Sequence, residues 1–110
     1  MGKRQRQRGA ETEREVANFL SEQLGMEIKR KLGQARDSGE DISVYPYRIE
    51  VKRRKKLAVT EFIEQCETGV QPGEIPIVIM RVDGDTRPLV MLRLEHFIET
   101  MKDKIQRGVS

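Results

Sequence analysis

The segment Gly39-Glu40-Asp41-Ile42-Ser43-Val44, followed by Tyr47-Arg48-Ile49-Glu50-Val51-Lys52-Arg53-Arg54-Lys55-Lys56, decides the fold of this chain. From Tyr47 to Lys52, apolar and charged side chains alternate, and this period of two predicts a β-strand with one apolar and one charged face. Glu50 and Lys52 therefore lie on the same face, roughly 7 Å apart along the strand. Pro46 predicts the turn of a hairpin that joins this strand to one over Ile42–Tyr45.

The charged face of the second strand carries the groups of a metal site. Asp41 comes from the preceding strand, so that its carboxylate and that of Glu50 would lie beside the Lys52 ammonium. Mg²⁺ prefers carboxylate oxygens and waters, and a neighbouring lysine can orient or deprotonate one of those waters. The alternative interpretation is a solvent-facing salt bridge beside a basic turn.

The acid-x-Lys tripeptide is weak evidence by itself. In a chain with 18 acidic residues among 110, it is expected about once by chance. A second copy, Glu27-Ile28-Lys29, serves as an internal control, because neither an upstream aspartate nor a long alternating strand accompanies it. The Glu50 copy follows Asp37, Asp41 and a glycine turn, and this context favours a functional site there.

The charge distribution favours a nucleic-acid partner. The net charge is only +3, but Lys3, Arg4, Arg6 and Arg8 cluster near the N-terminus and residues 52–56 form an unbroken basic run. Such patches are typical of proteins that bind nucleic acid, although basic runs are also often only solvated.

The composition also excludes several classes of protein. The single cysteine, Cys66, excludes an internal disulfide and a cysteine-based zinc cluster, and its helical apolar context predicts that it is buried. No apolar stretch approaches the roughly 20 residues of a membrane span, and the N-terminus lacks a signal-peptide core. We therefore expect an intracellular, cytoplasmic protein with no membrane partner.

The elements predict a single α/β domain over residues 10–106, preceded by a flexible basic arm over 1–9 and followed by a tail over 107–110. The predicted elements are a helix from Glu11 to Gly25, a weak strand over Met26–Lys31, the hairpin, a short helix capped by Thr60 and ending at Gly69, strands over Ile75–Val82 and Leu89–Leu94, and a final helix. The resulting order, α-β-β-β-α-β-β-α, predicts a mixed β-sheet flanked by helices.

Three segments together resemble the PD-(D/E)xK nuclease superfamily, and within it archaeal Holliday-junction resolvases and small phage endonucleases related to them. They are Gly9–Val16, which opens the first helix, Gly39–Ile42, and Ile49–Lys52 with the basic run that follows. The resemblance extends from Gly9 to about Leu94. It implies a restriction-endonuclease-like core and hydrolysis of DNA phosphodiester bonds, with branched DNA as a candidate substrate. Mg²⁺ would be the cofactor, with Mn²⁺ as a substitute.

The resemblance also implies roles for individual residues. Three acids would hold the metal and a lysine would assist the attacking water; these are Glu13, Asp41, Glu50 and Lys52. Glu40 stands where the family commonly has proline, so Asp37 or Glu40 could share or replace the metal role. Gln65 could point into the site, as in some relatives. At Glu13, a simple interaction with the helix dipole is an equally natural interpretation.

Six basic residues are candidates for binding the DNA backbone: Arg14, Arg36, Arg53, Arg54, Lys55 and Lys56. Two other functions are compatible with the same sequence. One is a non-catalytic nucleic-acid-binding module on the same fold, and the other is a small subunit whose basic surface binds an acidic protein.

The C-terminal half offers more apolar side chains than one small sheet face can bury. They are Met91, Phe97, Ile98, Met101 and Ile105. A homodimer built on this half would supply the two active sites that symmetric cleavage of a junction requires. The alternative is that these residues close the core of the monomer.

Overall fold

The computed structural model describes the backbone of residues 3–31 and 40–108 and the side chains of residues 9–31 and 40–107. Within these ranges there are three helices, α1 (Lys3–Leu24), α2 (Val59–Glu67) and α3 (Leu94–Gly108), and four strands, β1 (Ile42–Val44), β2 (Tyr47–Arg54), β3 (Ile75–Val82) and β4 (Leu89–Met91). They form one sheet in the order β1-β2-β3-β4, in which β2 and β3 are parallel and both outer pairs are antiparallel. The predicted α/β class with a mixed sheet is confirmed. No helix in the described ranges is long and apolar enough to cross a membrane.

The first core lies between α1 and one face of the sheet. The apolar stripe of α1, with Val16 and Ala17, packs on Ile42, Ile49 and Val51, as the alternation along β2 predicted. The hairpin turn at Tyr45–Pro46 is also as predicted, and Ile42 pairs with Ile49 across it. Every second residue of the hairpin therefore contributes to this core.

Helix α1 begins earlier than predicted, at Lys3 rather than Glu11. The segment before Gly9 consists of lysine, arginine and glutamine, which are strong helix formers, and one glycine costs only about 1 kcal/mol. Most of the predicted arm therefore has a helical backbone. The C-terminus of α1 is as predicted, since Gly25 follows it with a φ of 65°, a conformation that glycine adopts without strain.

The predicted strand over Met26–Lys31 is wrong. This segment makes only an isolated antiparallel bridge between Arg30 and Ile42, next to a hydrogen bond of 2.7 Å from the Lys31 N–H to the Asp41 carbonyl. Ile28 is the one apolar side chain that it buries. One buried residue between exposed charges does not stabilise a longer ladder, and the element order is α-β-β-α-β-β-α.

The second core lies on the opposite face of the sheet, under α2. Phe62, Ile63 and Cys66 face inward, as predicted, and pack on Val78 and Met80 of β3. Since Ile79 belongs to the first core, β3 is covered on both faces, which its apolar sequence predicted. Thr60 is not the cap of α2, because the Phe62 N–H already bonds to the Ala58 carbonyl and the helix begins at Val59.

Arg48 is the residue whose position differs most from the expected charged strand face. Its side chain is buried beneath α2 and donates hydrogen bonds to the Cys66 and Thr68 carbonyls at 3.3 and 3.0 Å. It also pairs with Glu40 at 3.2 Å, and Glu40 accepts a further hydrogen bond from Lys31. Burial alone would raise the pKa of Glu40, but the Lys31 hydrogen bond and the Arg48 charge outweigh it and lower that pKa.

Arg48→Met should lower the free energy of unfolding by about 3 kcal/mol, because it deprives a buried carboxylate of one partner and leaves the last carbonyls of α2 without donors. Urea denaturation measures this change. Lys56→Ala, at an exposed position, should change stability by less than about 0.5 kcal/mol. Combining Arg48→Met with Glu40→Gln should recover part of the loss. A single-variant loss below about 1 kcal/mol would contradict a structural role for Arg48.

Candidate active site

A cleft of about 360 Å³ lies where β1 begins, between the N-terminal half of α1 and β2. Its walls include all four residues that the resemblance implied, Glu13, Asp41, Glu50 and Lys52. Val51 lines the same cleft, and so do three arginines, Arg30, Arg53 and Arg54. The fold thus brings acids from separate elements to one place and surrounds them with basic groups.

Asp41 directly precedes the short strand β1 and is held by backbone groups of β2. Its own N–H bonds to the Ile49 carbonyl at 3.0 Å, and its Oδ2 accepts the Val51 N–H at 2.7 Å. The Asp41 carboxylate therefore accepts the Val51 N–H in place of a strand carbonyl, just before the first residue of β1. Asp41 and Glu50 line the same cleft, and the charge of Asp41 acts on the carboxyl group of Glu50, so the two acids are close neighbours.

Glu50 is an acid whose negative charge the protein compensates only in part. Burial raises the pKa of its carboxyl group, and the charge of Asp41 raises it further. Lys52, with Nζ 3.5 Å from Oε1, and Arg48 lower it, but the net shift is upward from the ordinary value of 4.5. Two neighbouring carboxylates in a partly desolvated cleft favour the binding of a cation.

Lys52 is held from three sides. Its Nζ lies beside Glu50, donates a hydrogen bond of 2.9 Å to Gln65 Oε1, and sits 5.6 Å from the centre of the Phe62 ring. The Arg54 guanidinium lies over the same ring at 5.7 Å. Gln65 thus contacts the lysine of the cleft. Sequence reasoning placed Phe62 only in the core, although its spacing of three from Gln65 puts both on one side of α2.

Glu13 is buried and makes an ion pair with Arg30, whose NH1 lies 3.5 Å from Oε1. Because α1 begins at Lys3, Glu13 lies in the third turn of the helix, and the helix dipole acts mainly within the first turn. The simple dipole interpretation of Glu13 therefore fails. Arg30 is a cleft residue that sequence reasoning missed, since nothing in its local pattern shows that it reaches α1.

The second acid-x-Lys copy has a different environment. Glu27 and Lys29 lie 3.2 Å apart, with side chains 76% and 79% exposed. The side chains of Glu50 and Lys52 are only 10% and 15% exposed. The solvent-facing salt bridge is therefore the correct description of the first copy in the chain and the wrong one for the second.

The predicted DNA-binding residues have different environments. Arg53 is tied to Asp83 in the turn after β3, with Nε 3.2 Å from Oδ1. Arg54 lies on the rim of the cleft above Phe62. Three further candidates are exposed: Arg14, Lys55 and Lys56. Arg36 and Asp37 lie outside the described residues.

Two acids of the cleft, Asp41 and Glu50, are the candidate metal ligands, although no preformed three-ligand centre is present in the described ranges. Over residues 3–31 and 40–108, no three carboxylate, imidazole or thiol groups are already gathered as a metal site. Asp41 and Glu50 line one cleft and their charges interact. Glu13 is engaged by Arg30, and Glu40 by Arg48 and Lys31. Cys66 does not line this cleft, and burial raises the pKa of its thiol to about 12, so the thiol is protonated at neutral pH.

Glu50→Gln should raise the free energy of unfolding at pH 7.5 without divalent cations. The folded-state pKa of Glu50 is raised, so ionisation of this group disfavours the folded state as the pH increases past that pKa, and an uncharged amide avoids this loss. The difference should vanish below about pH 4, where the carboxyl group is protonated in both states.

Urea denaturation from pH 4 to pH 8 measures this pH dependence, with Glu27→Gln as the matched control at the exposed copy. The control should match the wild type throughout. A Glu50→Gln protein that is less stable than the wild type at pH 7.5 would show that Lys52 and Arg48 more than compensate for burial.

Comparisons with known proteins add no assignment to this geometry. No family model, curated protein or solved structure matches the chain. The resemblance to PD-(D/E)xK nucleases therefore stays a prediction from the sequence, and a function for this chain has to be inferred from the side chains of its cleft.

Proposed function

We propose that this protein is a metal-dependent DNA endonuclease that hydrolyses phosphodiester bonds, built on a restriction-endonuclease-like core. The observation that carries the proposal is the cleft in which Glu13, Asp41, Glu50 and Lys52 meet below a basic rim. These are the residues of the sequence motif, and they come from α1, the start of β1 and β2.

The charges of the cleft support hydrolysis over simple binding. A surface that only binds phosphate gains nothing from carboxylates, since they repel the DNA backbone. Here Asp41 and Glu50 line the same cleft, and burial together with the charge of Asp41 disfavours ionisation of Glu50. A divalent cation between carboxylates and phosphate removes both conflicts.

Asp41 and Glu50 would hold Mg²⁺, or Mn²⁺ as a substitute, with Glu13 lining the same cleft. Such an ion, when bound, polarises a phosphoryl oxygen and lowers the pKa of a water molecule. The Asp41 carboxylate is already oriented by the Val51 N–H. The Val51 carbonyl points to the same strand edge as its N–H, which places another oxygen there.

Lys52 has the geometry of a residue that orients and stabilises. An ammonium group donates hydrogen bonds and accepts none. Gln65 and Phe62 fix its position, so Lys52 would orient the attacking water and stabilise charge that develops on the phosphoryl oxygens. The exposed basic residues would contact backbone phosphates and thereby fix the register of DNA without reading its sequence.

A nucleic-acid-binding module without catalysis is the second candidate. The observation that favours it is the Arg30–Glu13 ion pair, together with the lack of a ready three-ligand group in the described ranges. The two candidates differ in one outcome, because only the nuclease cuts DNA when Mg²⁺ or Mn²⁺ is present.

Cleavage should require the metal and the cleft residues. We expect the purified protein to cut plasmid, flap or four-way-junction DNA with Mg²⁺ or Mn²⁺ and not with EDTA. Asp41→Asn, which keeps an acceptor for the Val51 N–H, and Glu50→Gln should each reduce the rate roughly 100-fold or more. Both should bind DNA as well as the wild type or better, because negative charge near phosphate is removed.

Glu27→Gln and Lys29→Met are matched controls at the exposed copy and should retain full activity. A second measurement does not depend on cleavage: Mg²⁺ or Mn²⁺ should raise the melting temperature of the wild type more than that of Glu50→Gln. Full activity in Asp41→Asn or Glu50→Gln would refute the site. Binding of all three DNAs without cleavage would leave the binding module as the function.

The basic residues should contribute unequally to DNA affinity. Lys55→Ala and Lys56→Ala should each flatten the slope of log affinity against log salt by up to about one unit. Arg53→Ala should change it less, because the Arg53 guanidinium is already paired with Asp83. Lys29→Ala is the control. An unchanged slope in the Lys55→Ala, Lys56→Ala double variant would place DNA on another surface.

A further inference from the structure

Helix α3 presents an apolar face that the rest of the described chain leaves exposed. Its large apolar side chains recur at helical spacing, and their exposed fractions lie between 40% and 69%; they are Leu94, Phe97, Ile98, Met101 and Ile105. Over the described ranges, α3 makes no extended contact with another helix or strand. An apolar stripe of this width is typical of a helix that packs against a partner.

The monomer core does not need this helix. The first core is formed by α1 and the sheet, and the second by α2 and the sheet, and neither cluster contains a residue of α3. The segment before α3 is attached by a polar pair, Arg93 to Glu67, at 2.8 Å. The alternative that these C-terminal residues close the monomer core is therefore wrong for α3.

We infer that α3 is a dimerisation helix that pairs in antiparallel orientation with α3 of a second copy of this chain. Five large side chains at about half exposure leave on the order of 500 Å² of apolar surface on each helix. Two such faces would bury about 1,000 Å² together, which is the lower limit for a specific interface. Interfaces near this limit include weak and transient ones, so we expect dissociation in the micromolar range.

The charge pattern of α3 selects a second copy and fixes the orientation. Its N-terminal half carries Glu95 and Glu99. Its C-terminal half carries Lys102, Lys104 and Arg107, together with Asp103, which pairs with Arg107 at 3.2 Å, so the charge of this half is still positive. Antiparallel pairing places the acidic half of each helix beside the basic half of the other. Parallel pairing would place like charges together along both halves, which is unfavourable.

The competing seat for α3 is an apolar cleft of about 290 Å³ between α1 and β3, lined by Val16, Phe19, Ile79 and Pro88 among others. Phe19, at its rim, is 60% exposed. The charged residues of this lining, Glu15 and Arg81, pair with each other at 2.9 Å, whereas the two halves of α3 in a second copy match those of the first. Phe19 therefore provides a matched control for Phe97.

Sedimentation equilibrium of the full chain between 1 and 100 µM tests the pairing. The wild type should form a dimer, and Phe97→Glu should raise its dissociation constant at least tenfold, because a charge would be buried without a partner. Phe19→Glu should leave it unchanged. Since Phe97 is exposed in the monomer, the far-UV circular dichroism of Phe97→Glu should match that of the wild type at 1 µM.

Charge exchange tests the orientation. Glu95→Lys with Glu99→Lys should weaken an antiparallel dimer. Adding Lys102→Glu with Lys104→Glu should restore it, because the N-terminal half of α3 is then basic and the C-terminal half acidic. A wild-type monomer at 100 µM, or dissociation caused equally by Phe19→Glu, would overturn the inference. A Glu95→Lys, Glu99→Lys variant that still dimerises as the wild type does would overturn it as well. None of these outcomes depends on whether the protein cuts DNA.

Discussion

The buried Arg48 guanidinium is the interaction on which the rest of the structure depends. From β2 it reaches the last carbonyls of α2 and the Glu40 carboxylate, so one side chain joins the sheet, the second helix and the segment that enters β1. Because Glu40 is fixed, its neighbour Asp41 is fixed just before the first residue of β1. Because α2 is fixed, its Phe62 and Gln65 lie where Lys52 meets them. The geometry of the cleft therefore depends on a side chain that does not line it.

The acids of this region are sorted by how completely their charges are compensated. Glu40 has two cationic partners, and its pKa is lowered despite burial. Glu50 is also buried, but burial and the charge of Asp41 outweigh the effect of Lys52 and Arg48, and its pKa is raised. A fully compensated carboxylate stabilises the fold and has little left to offer a ligand. A carboxylate with an unmet charge destabilises the free protein slightly and gains most when a cation binds.

Much of the fold could be predicted from local patterns, and the errors have physical causes. The alternation of apolar and charged residues predicted β2 and the hairpin, and a run of β-branched residues predicted β3. The helical spacing of apolar residues predicted the inward face of α2. Alternation does not reveal whether a charged face meets solvent or a helix, so Arg48 was not recognised as a buried residue. The Arg30–Glu13 ion pair joins segments 17 positions apart, and no local pattern records such a contact. Spaced motifs in the sequence predicted that four side chains meet in one cleft: Glu13, Asp41, Glu50 and Lys52. Phe62 belongs to no such motif.

The two copies of acid-x-Lys show why such a motif has meaning only in its context. Glu27 and Lys29 keep their hydration, so their attraction is screened and contributes little. Glu50 and Lys52 have lost most of theirs, because α2 covers that face of the sheet and places an aromatic ring beside the lysine. Desolvation strengthens every charge interaction around them, including those with Asp41 and with any ion or phosphate that enters the cleft. The chemistry of the motif is therefore a property of the face that α2 covers, and the tripeptide alone does not confer it.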